Sequence, residues 1–144
     1  MTASFIISGP VIKGDQLGRK LGYPTANLDL PDAKKFHHLT GVYAATVTLG
    51  SVTYPGMANI GFRPTLDQPS FTVEINIFDF NLDIYGEVIS ICFLERIRDE
   101  LKFDSLEELV LQMARDEVEC RRILSVPLKP NTNPEQTRGF HTRD

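Results

Sequence analysis

The 144-residue sequence predicts an antiparallel β barrel or sandwich with one C-terminal helix. Three observations predict it. Apolar and polar residues alternate in short runs through the first two-thirds of the chain, Gly, Pro and Asn break those runs, and the spacing turns helical after Ser105. A period of two sets one side of a strand against a core, whereas apolar residues three and four apart form a helical stripe. Short strands punctuated by turn residues are the mark of barrels and sandwiches.

The elements follow in order. Phe5 to Ile12 is apolar and β-branched and runs into a glycine-rich segment. Gly41 to Leu49 places Tyr43, Ala45, Val47 and Leu49 on one face. Gly50-Ser51 suggests a tight turn into Val52 to Ile60, and so a hairpin. Phe71, Val73, Ile75 and Ile77 alternate with Thr72, Glu74 and Asn76, and Ile89, Ile91 and Phe93 alternate with Ser90 and Cys92. Ser105-Leu106-Glu107-Glu108 has the form of a capping box, with Ser105 as N-cap and Glu108 at the third helical position. Leu106, Leu109, Val110, Met113, Cys120 and Leu124 then share a helical face expected to pack on the barrel, until Pro127 ends the helix. One domain over residues 1–126 and a polar, flexible tail over 127–144 are expected.

Composition narrows the function classes. The formal net charge is -4, which argues against nucleic acid or anionic membrane as a partner. No run is long and apolar enough to span a bilayer, and Met1-Thr2-Ala3-Ser4 lacks the basic and apolar parts of a secretory signal. Cys92 and Cys120 both read as core and form neither a disulfide framework nor a metal pair. A cytoplasmic monomer acting on small molecules is the expectation.

The segment Lys13-Gly14-Asp15-Gln16-Leu17-Gly18-Arg19-Lys20-Leu21-Gly22-Tyr23-Pro24-Thr25-Ala26-Asn27 carries the most information. Gly14, Gly18 and Gly22 allow close backbone approach, so that successive N–H groups can converge on an anion. Lys13, Arg19 and Lys20 concentrate positive charge there, and Pro24 stiffens the exit. Thr25 and Asn27 face the same way in an extended segment, and their oxygens suit a Mg²⁺ that keeps waters and phosphates as its other ligands. On the glycines alone, a long surface loop is the simpler reading. The basic residues and Pro24-Thr25-Ala26-Asn27 raise phosphate binding to an equal one.

Glu74 points away from the apolar face of its strand. There it is either an ordinary exposed glutamate or a general base that orients a substrate hydroxyl and takes its proton. Asp79 to Asp83 imitates the start of a calcium loop, but Ile84 stands where that loop needs glycine and Ser90 where it needs glutamate. His37, His38 and His141 have no ligand spacing, and Cys92 has no histidine placed to activate it. Arg98, Glu100 and Lys102 read by default as a solvated charge run before the helix.

Taken in order, these segments resemble the riboflavin kinase family, whose domain in many bacteria is fused behind an FMN adenylyltransferase. The resemblance runs from about Ile7 to about Leu124. It includes Gly14-Asp15, Gly18-Arg19, Leu21 to Asn27, Gly41-Val42-Tyr43, Tyr54 to Gly61 and Arg63-Pro64-Thr65. It continues through Val73-Glu74, Phe78 to Asn81, Asp83 to Gly86, Ile97-Arg98, Glu100, Lys102-Phe103 and Ser105-Leu106. The resemblance implies a six-stranded antiparallel Greek-key β barrel with a C-terminal helix. It implies transfer of the γ-phosphate of ATP to the 5′-hydroxyl of riboflavin to give FMN, with Mg²⁺. By resemblance Gly14, Gly18, Arg19, Gly22 and Pro24 belong to the phosphate loop, Thr25 and Asn27 serve Mg²⁺ and nucleotide, and Tyr85 lies toward the nucleotide. Glu74 matches the catalytic carboxylate, and Arg98, Glu100 and Phe103 correspond to the part that closes over the flavin. The family commonly has His two residues after that Glu; here the position is Asn76. The sequence starts at the kinase segments, whether as a natural single-function kinase or as an excised piece, and FAD synthesis by it is not expected. Two rival readings are a catalytically silent flavin- or nucleotide-binding barrel serving as a sensor, and an oligonucleotide-binding barrel. Intact Thr25, Asn27 and Glu74 weigh against the first, and basic residues confined to one loop weigh against the second.

Overall fold

The computed structural model describes residues 4–12, 22–30, 33–63, 70–80 and 82–127. Six strands form: β1 (Phe5–Ile12), β2 (Ala26–Leu28), β3 (Gly41–Leu49), β4 (Val52–Arg63), β5 (Ser70–Ile77) and β6 (Val88–Arg98). They close into a barrel in the order β1-β2-β5-β4-β3-β6, with every pair antiparallel. β3, β4 and β5 form a meander, and β6 returns beside β3 and closes onto β1, which is the Greek-key connection. A 3-10 helix, Ala33–Leu39, precedes β3, and an α helix, α1 (Leu106–Ile123), follows β6.

The alternation in the sequence is written directly into burial. Ile7, Val11, Tyr43, Ala45, Val47, Ile60, Val73, Ile75, Ile91 and Phe93 fill the barrel interior. Residues of opposite parity face outward, which is why Cys92 is only half buried, contrary to the expectation of a core cysteine. Cys120 is fully buried, in a second apolar cluster with Ala44, Met57 and Phe78 that glues α1 to the outside of the barrel. Ser105 caps α1 as expected: its Oγ accepts from the Glu108 N–H at 3.2 Å. The Glu108 carboxylate reaches the Asp104 N–H at 3.4 Å rather than the Ser105 N–H. Leu106 does not join the packed face; it is exposed, because it lies in the first turn before the helix meets the barrel wall. The helix stops before Pro127, with Ser125 at a φ of 59°. The expected tail lies outside the described residues from 128 onward. No helix among the described residues is long and apolar enough to cross a membrane.

Register decides what the outer wall presents. Asn27 pairs with Glu74, Glu74 with Asn59, Asn59 with Val42, and Val42 with Arg98. Residues opposed in an antiparallel ladder project to the same side. One rung across β2, β5, β4, β3 and β6 therefore sets Asn27, Glu74, Asn59, Val42 and Arg98 in a row on the outside of the barrel.

Candidate active site

α1 lies over that rung and leaves a cavity of about 240 Å³. The barrel contributes Val42, Met57, Asn59, Glu74 and Asn76 to its walls, and α1 contributes Leu109, Met113 and Asp116 at helical spacing. Arg98, Glu100, Leu101 and Phe103, from the end of β6 and the segment after it, close the rim. A second cavity of about 310 Å³ lies where β1, β2 and β5 meet Phe80 and the segment Leu82 to Tyr85. β2 is only three residues long, so upstream of Ala26 the barrel wall opens and Ile75 and Ile77 reach this cavity beside Phe80 and Tyr85. Thr25 lines both cavities.

Thr25 is held by two contacts around it. Its Oγ1 donates to Glu74 Oε1 at 3.2 Å. The Nδ2 of Asn76 donates to the Pro24 carbonyl at 2.6 Å. Asn76 thus has a definite task, fixing the exit of the glycine-rich segment against β5. Just upstream, Gly22 has a φ of 92°, a conformation that glycine adopts without strain. Tyr23 then packs on the second cluster. Burial, followed by the charge of Glu117 and a hydrogen bond to it, raises the Tyr23 phenol above its ordinary pKa. Glu117 also accepts from Arg121 Nε at 2.8 Å. Arg121 is itself 1% exposed, stacked 4.4 Å from the Phe78 ring and forked onto Asp79 at 3.0 and 3.3 Å. The exit of the loop, the helix and the turn beside the second cavity are therefore one hydrogen-bonded unit.

Of the charge run before the helix, Glu100 and Lys102 are exposed, as the solvated reading has it, whereas Arg98 is half buried and paired. Arg98 Nε lies 2.9 and 3.0 Å from the two oxygens of Asp116, and Nη2 lies 2.7 Å from Oδ2. Gln112 adds a 3.0 Å bond to Asp116, and the Phe103 ring sits 5.9 Å from the Arg98 guanidinium. Glu100 turns back to β4, where Oε1 accepts from the Phe62 N–H at 3.0 Å. The physical reason is barrel closure, which brings the end of β6 under α1 and lets the segment after it reach β4.

Of the residues expected from sequence, Glu74, Thr25, Arg98, Glu100 and Phe103 meet at the first cavity, and Pro24, Thr25 and Tyr85 line the second. Asn27 stands on the Glu74 rung. Gly14, Gly18 and Arg19 lie outside the described residues. Sequence reasoning missed Asn59, Met113 and Asp116. The 3.6-residue spacing of Leu109, Met113 and Asp116 could have grouped them, but nothing local says that their face covers Glu74. Among the described residues there is no group of three His, Cys, Asp or Glu that could hold a metal, and His37 and His38 are exposed on the 3-10 helix.

A family model described as riboflavin kinase matches residues 1–124. The RNA-binding riboflavin kinase RibR of Bacillus subtilis is 49% identical over 113 residues, covering 77% of this chain and 47% of that protein. The bifunctional riboflavin kinase/FMN adenylyltransferase of Escherichia coli is 42% identical over 123 residues, covering 85% of this chain and 39% of that enzyme. The chain thus spans less than half the length of these curated relatives. Among solved structures, riboflavin kinase from Trypanosoma brucei superposes with a TM-score of 0.62 at 31% identity, covering 86% of this chain and 82% of that one. With the closed Greek-key barrel, the outward glutamate and the paired cavities already in place, these matches establish that the chain belongs to the riboflavin kinase family.

Proposed function

We propose that this chain transfers the γ-phosphate of ATP to the 5′-hydroxyl of riboflavin, giving FMN and ADP. The observation that carries the reading is Thr25, which lines both cavities and hydrogen-bonds Glu74. A donor on one side and an acceptor on the other would meet there. Riboflavin fits the first cavity, where Val42, Met57, Leu109 and Met113 offer apolar surface to a flat ring and Glu74 waits at one end. The nucleotide fits the second, beside Tyr85, with Gly14, Gly18, Arg19, Gly22 and Pro24 around its phosphates.

Phosphoryl transfer through a loose transition state needs in-line positioning and charge neutralisation more than covalent help. Glu74 holds the acceptor hydroxyl and takes its proton as the new P–O bond forms. Thr25 keeps the Glu74 carboxylate in place, and Asn76 keeps Thr25 in place. The donor set fits Mg²⁺. Thr25 and Asn27 offer neutral, hard oxygens, and such a pair suits an ion that draws most of its ligands from phosphates and water. Bound there, the ion would neutralise phosphate charge. Both cavities are built by one chain, so a monomer suffices, with residues 1–126 as the catalytic unit and 127–144 as a tail. The cytoplasm supplies the ATP and the reducing conditions in which Cys92 and Cys120 stay free.

The test is incubation with riboflavin, ATP and Mg²⁺ followed by chromatographic separation of the flavins. FMN should appear with equimolar ADP and stop when Mg²⁺ is chelated. Glu74→Gln should keep riboflavin binding and lose roughly 10²–10⁴ in kcat, the usual worth of a positioned base. Near-normal kcat in that variant removes Glu74 from the role.

A further inference from the structure

Among the described residues, one buried side-chain atom capable of hydrogen bonding lacks a partner: Asn59 Oδ1. Leaving an acceptor buried and unpaired destabilises a fold, so its presence calls for a physical reason. Asn59 lines the cavity that holds Glu74 and stands directly across from Glu74 in the β4–β5 ladder. Directly opposed Cβ atoms lie about 4.5–5.5 Å apart. A polyol whose terminal hydroxyl is held by Glu74 would therefore bring a hydroxyl one or two carbons along it within reach of the Asn59 amide. The other buried amide on this wall is already used, because Asn76 holds the Pro24 carbonyl. Gly61, two residues further on the same face of β4, leaves room for the Asn59 amide and the Glu100 carboxylate to lie close over the strand. A Cβ there would stand 3.2 Å from Asn59 Nδ2 and 2.8 Å from Glu100 Oε2.

We propose that Asn59 is a specificity residue for the acceptor: its Oδ1 accepts a hydrogen bond from a secondary hydroxyl of the polyol that joins the flavin ring to the reacting hydroxyl. The inference rests on the riboflavin kinase reading. The orphaned acceptor is the recognition element, matched by substrate and unmatched without it. A substrate lacking that hydroxyl leaves the acceptor buried and unpaired, which is how a polar site rejects a deoxy analogue.

The experiment measures flavin affinity by fluorescence quenching in the presence of Mg-ADP, for the wild-type protein and for Asn59→Leu. Its ligands are riboflavin, analogues each lacking one secondary hydroxyl, and lumiflavin, which has the ring without the polyol. Asn59→Leu should weaken riboflavin about ten- to a hundred-fold and leave lumiflavin unchanged, as expected for one lost hydrogen bond with an unpaired group. One deoxy analogue should bind the wild-type protein more weakly by a similar factor and lose nothing further in the variant. The ligand-free variant should melt at the same temperature or higher, because it no longer buries an unpaired acceptor. A lower melting point, equal losses for riboflavin and lumiflavin, or wild-type protein that binds every deoxy analogue as tightly as riboflavin overturns the proposal; the last comparison needs no variant. Wild-type protein that binds riboflavin but makes no FMN overturns the kinase reading and leaves these affinity comparisons in force. Wild-type protein that binds no riboflavin overturns both.

Discussion

Truncating Asp116 to Ala tests whether the ion pair under α1 holds the rim of the cavity proposed to take the flavin. The Asp116 side chain is 5% exposed and the Arg98 side chain 18%, and two guanidinium nitrogens bond the carboxylate. Removing one partner of a buried pair costs about 3–5 kcal/mol, because the other charge is left without compensation. Arg98 borders a cavity through which water can reach it, and it keeps a 2.9 Å bond from Nη1 to the Asp99 carbonyl. A discounted loss of about 2–3 kcal/mol is therefore expected. At this chain length each kcal/mol shifts Tm by about 3–4 °C, so calorimetry should record a fall of about 6–12 °C. Replacing both partners, as Arg98→Met with Asp116→Leu, removes the stranded charge and should recover most of the lost stability. Recovery should not extend to function. The segment carrying Glu100 and Phe103 is anchored through Arg98, so KM for riboflavin should stay raised by about tenfold in both proteins, a loss of about 1.4 kcal/mol in binding. A fall in Tm under about 2 °C for Asp116→Ala, or a double variant no more stable than the single one, would refute the reasoning.

Two further outcomes follow from the same packing. Asn76→Ala strips the Pro24 carbonyl of its donor and loosens Thr25, so kcat should fall by about tenfold in steady-state assays while stability drops by about 1–2 kcal/mol in urea. Burial, then the charges of Asp116, Glu119 and Glu117, push the Cys120 thiol up to about 12. The unfolded thiol loses its proton near pH 8.5, so the folded state binds that proton more strongly; the contribution is complete below about pH 8.5 and is lost between there and about pH 12. The raised phenols of Tyr23 and Tyr43 act in the same direction. Denaturant titrations should show stability falling with pH across that range, by up to about 1.4 kcal/mol per unit from the thiol, and Cys120→Ala should flatten the slope.

The parts of this molecule that were legible in the sequence are those that local periodicity writes. β1 and β3 are bounded where the alternation begins and ends, and Ser105 caps α1 because a hydroxyl before a helix answers a free N–H three residues on. The 3-10 helix before β3 was not read, since a single short element of that kind carries no period to detect. Arg98 and Asp116 each sit in a run of charges that reads as solvent-facing. Their burial exists only after β6 has returned to β3 and carried Arg98 beneath a helix that starts eight residues later. Pairing of that kind is a property of closure, and no window of sequence contains it.

Closure also explains why the Glu74 cavity lies outside the barrel. The barrel interior is filled by its own Ile, Val and Phe side chains and opens only at the second cavity, so the Glu74 cavity has to form on the outer wall. A carboxylate of opposite parity on β5 must then face outward, where in sequence it looks like any exposed strand glutamate. To exclude water from it, the fold has to bring a second wall, and α1 is that wall. The same helix face supplies Met113 to the apolar cluster, Asp116 to the ion pair and Leu109 to the cavity. Packing energy and site geometry are therefore set by the same side chains. Substitutions on that face of α1 should change stability and flavin affinity together, whereas substitution of Asn59, whose Oδ1 alone is buried without a partner, should separate them.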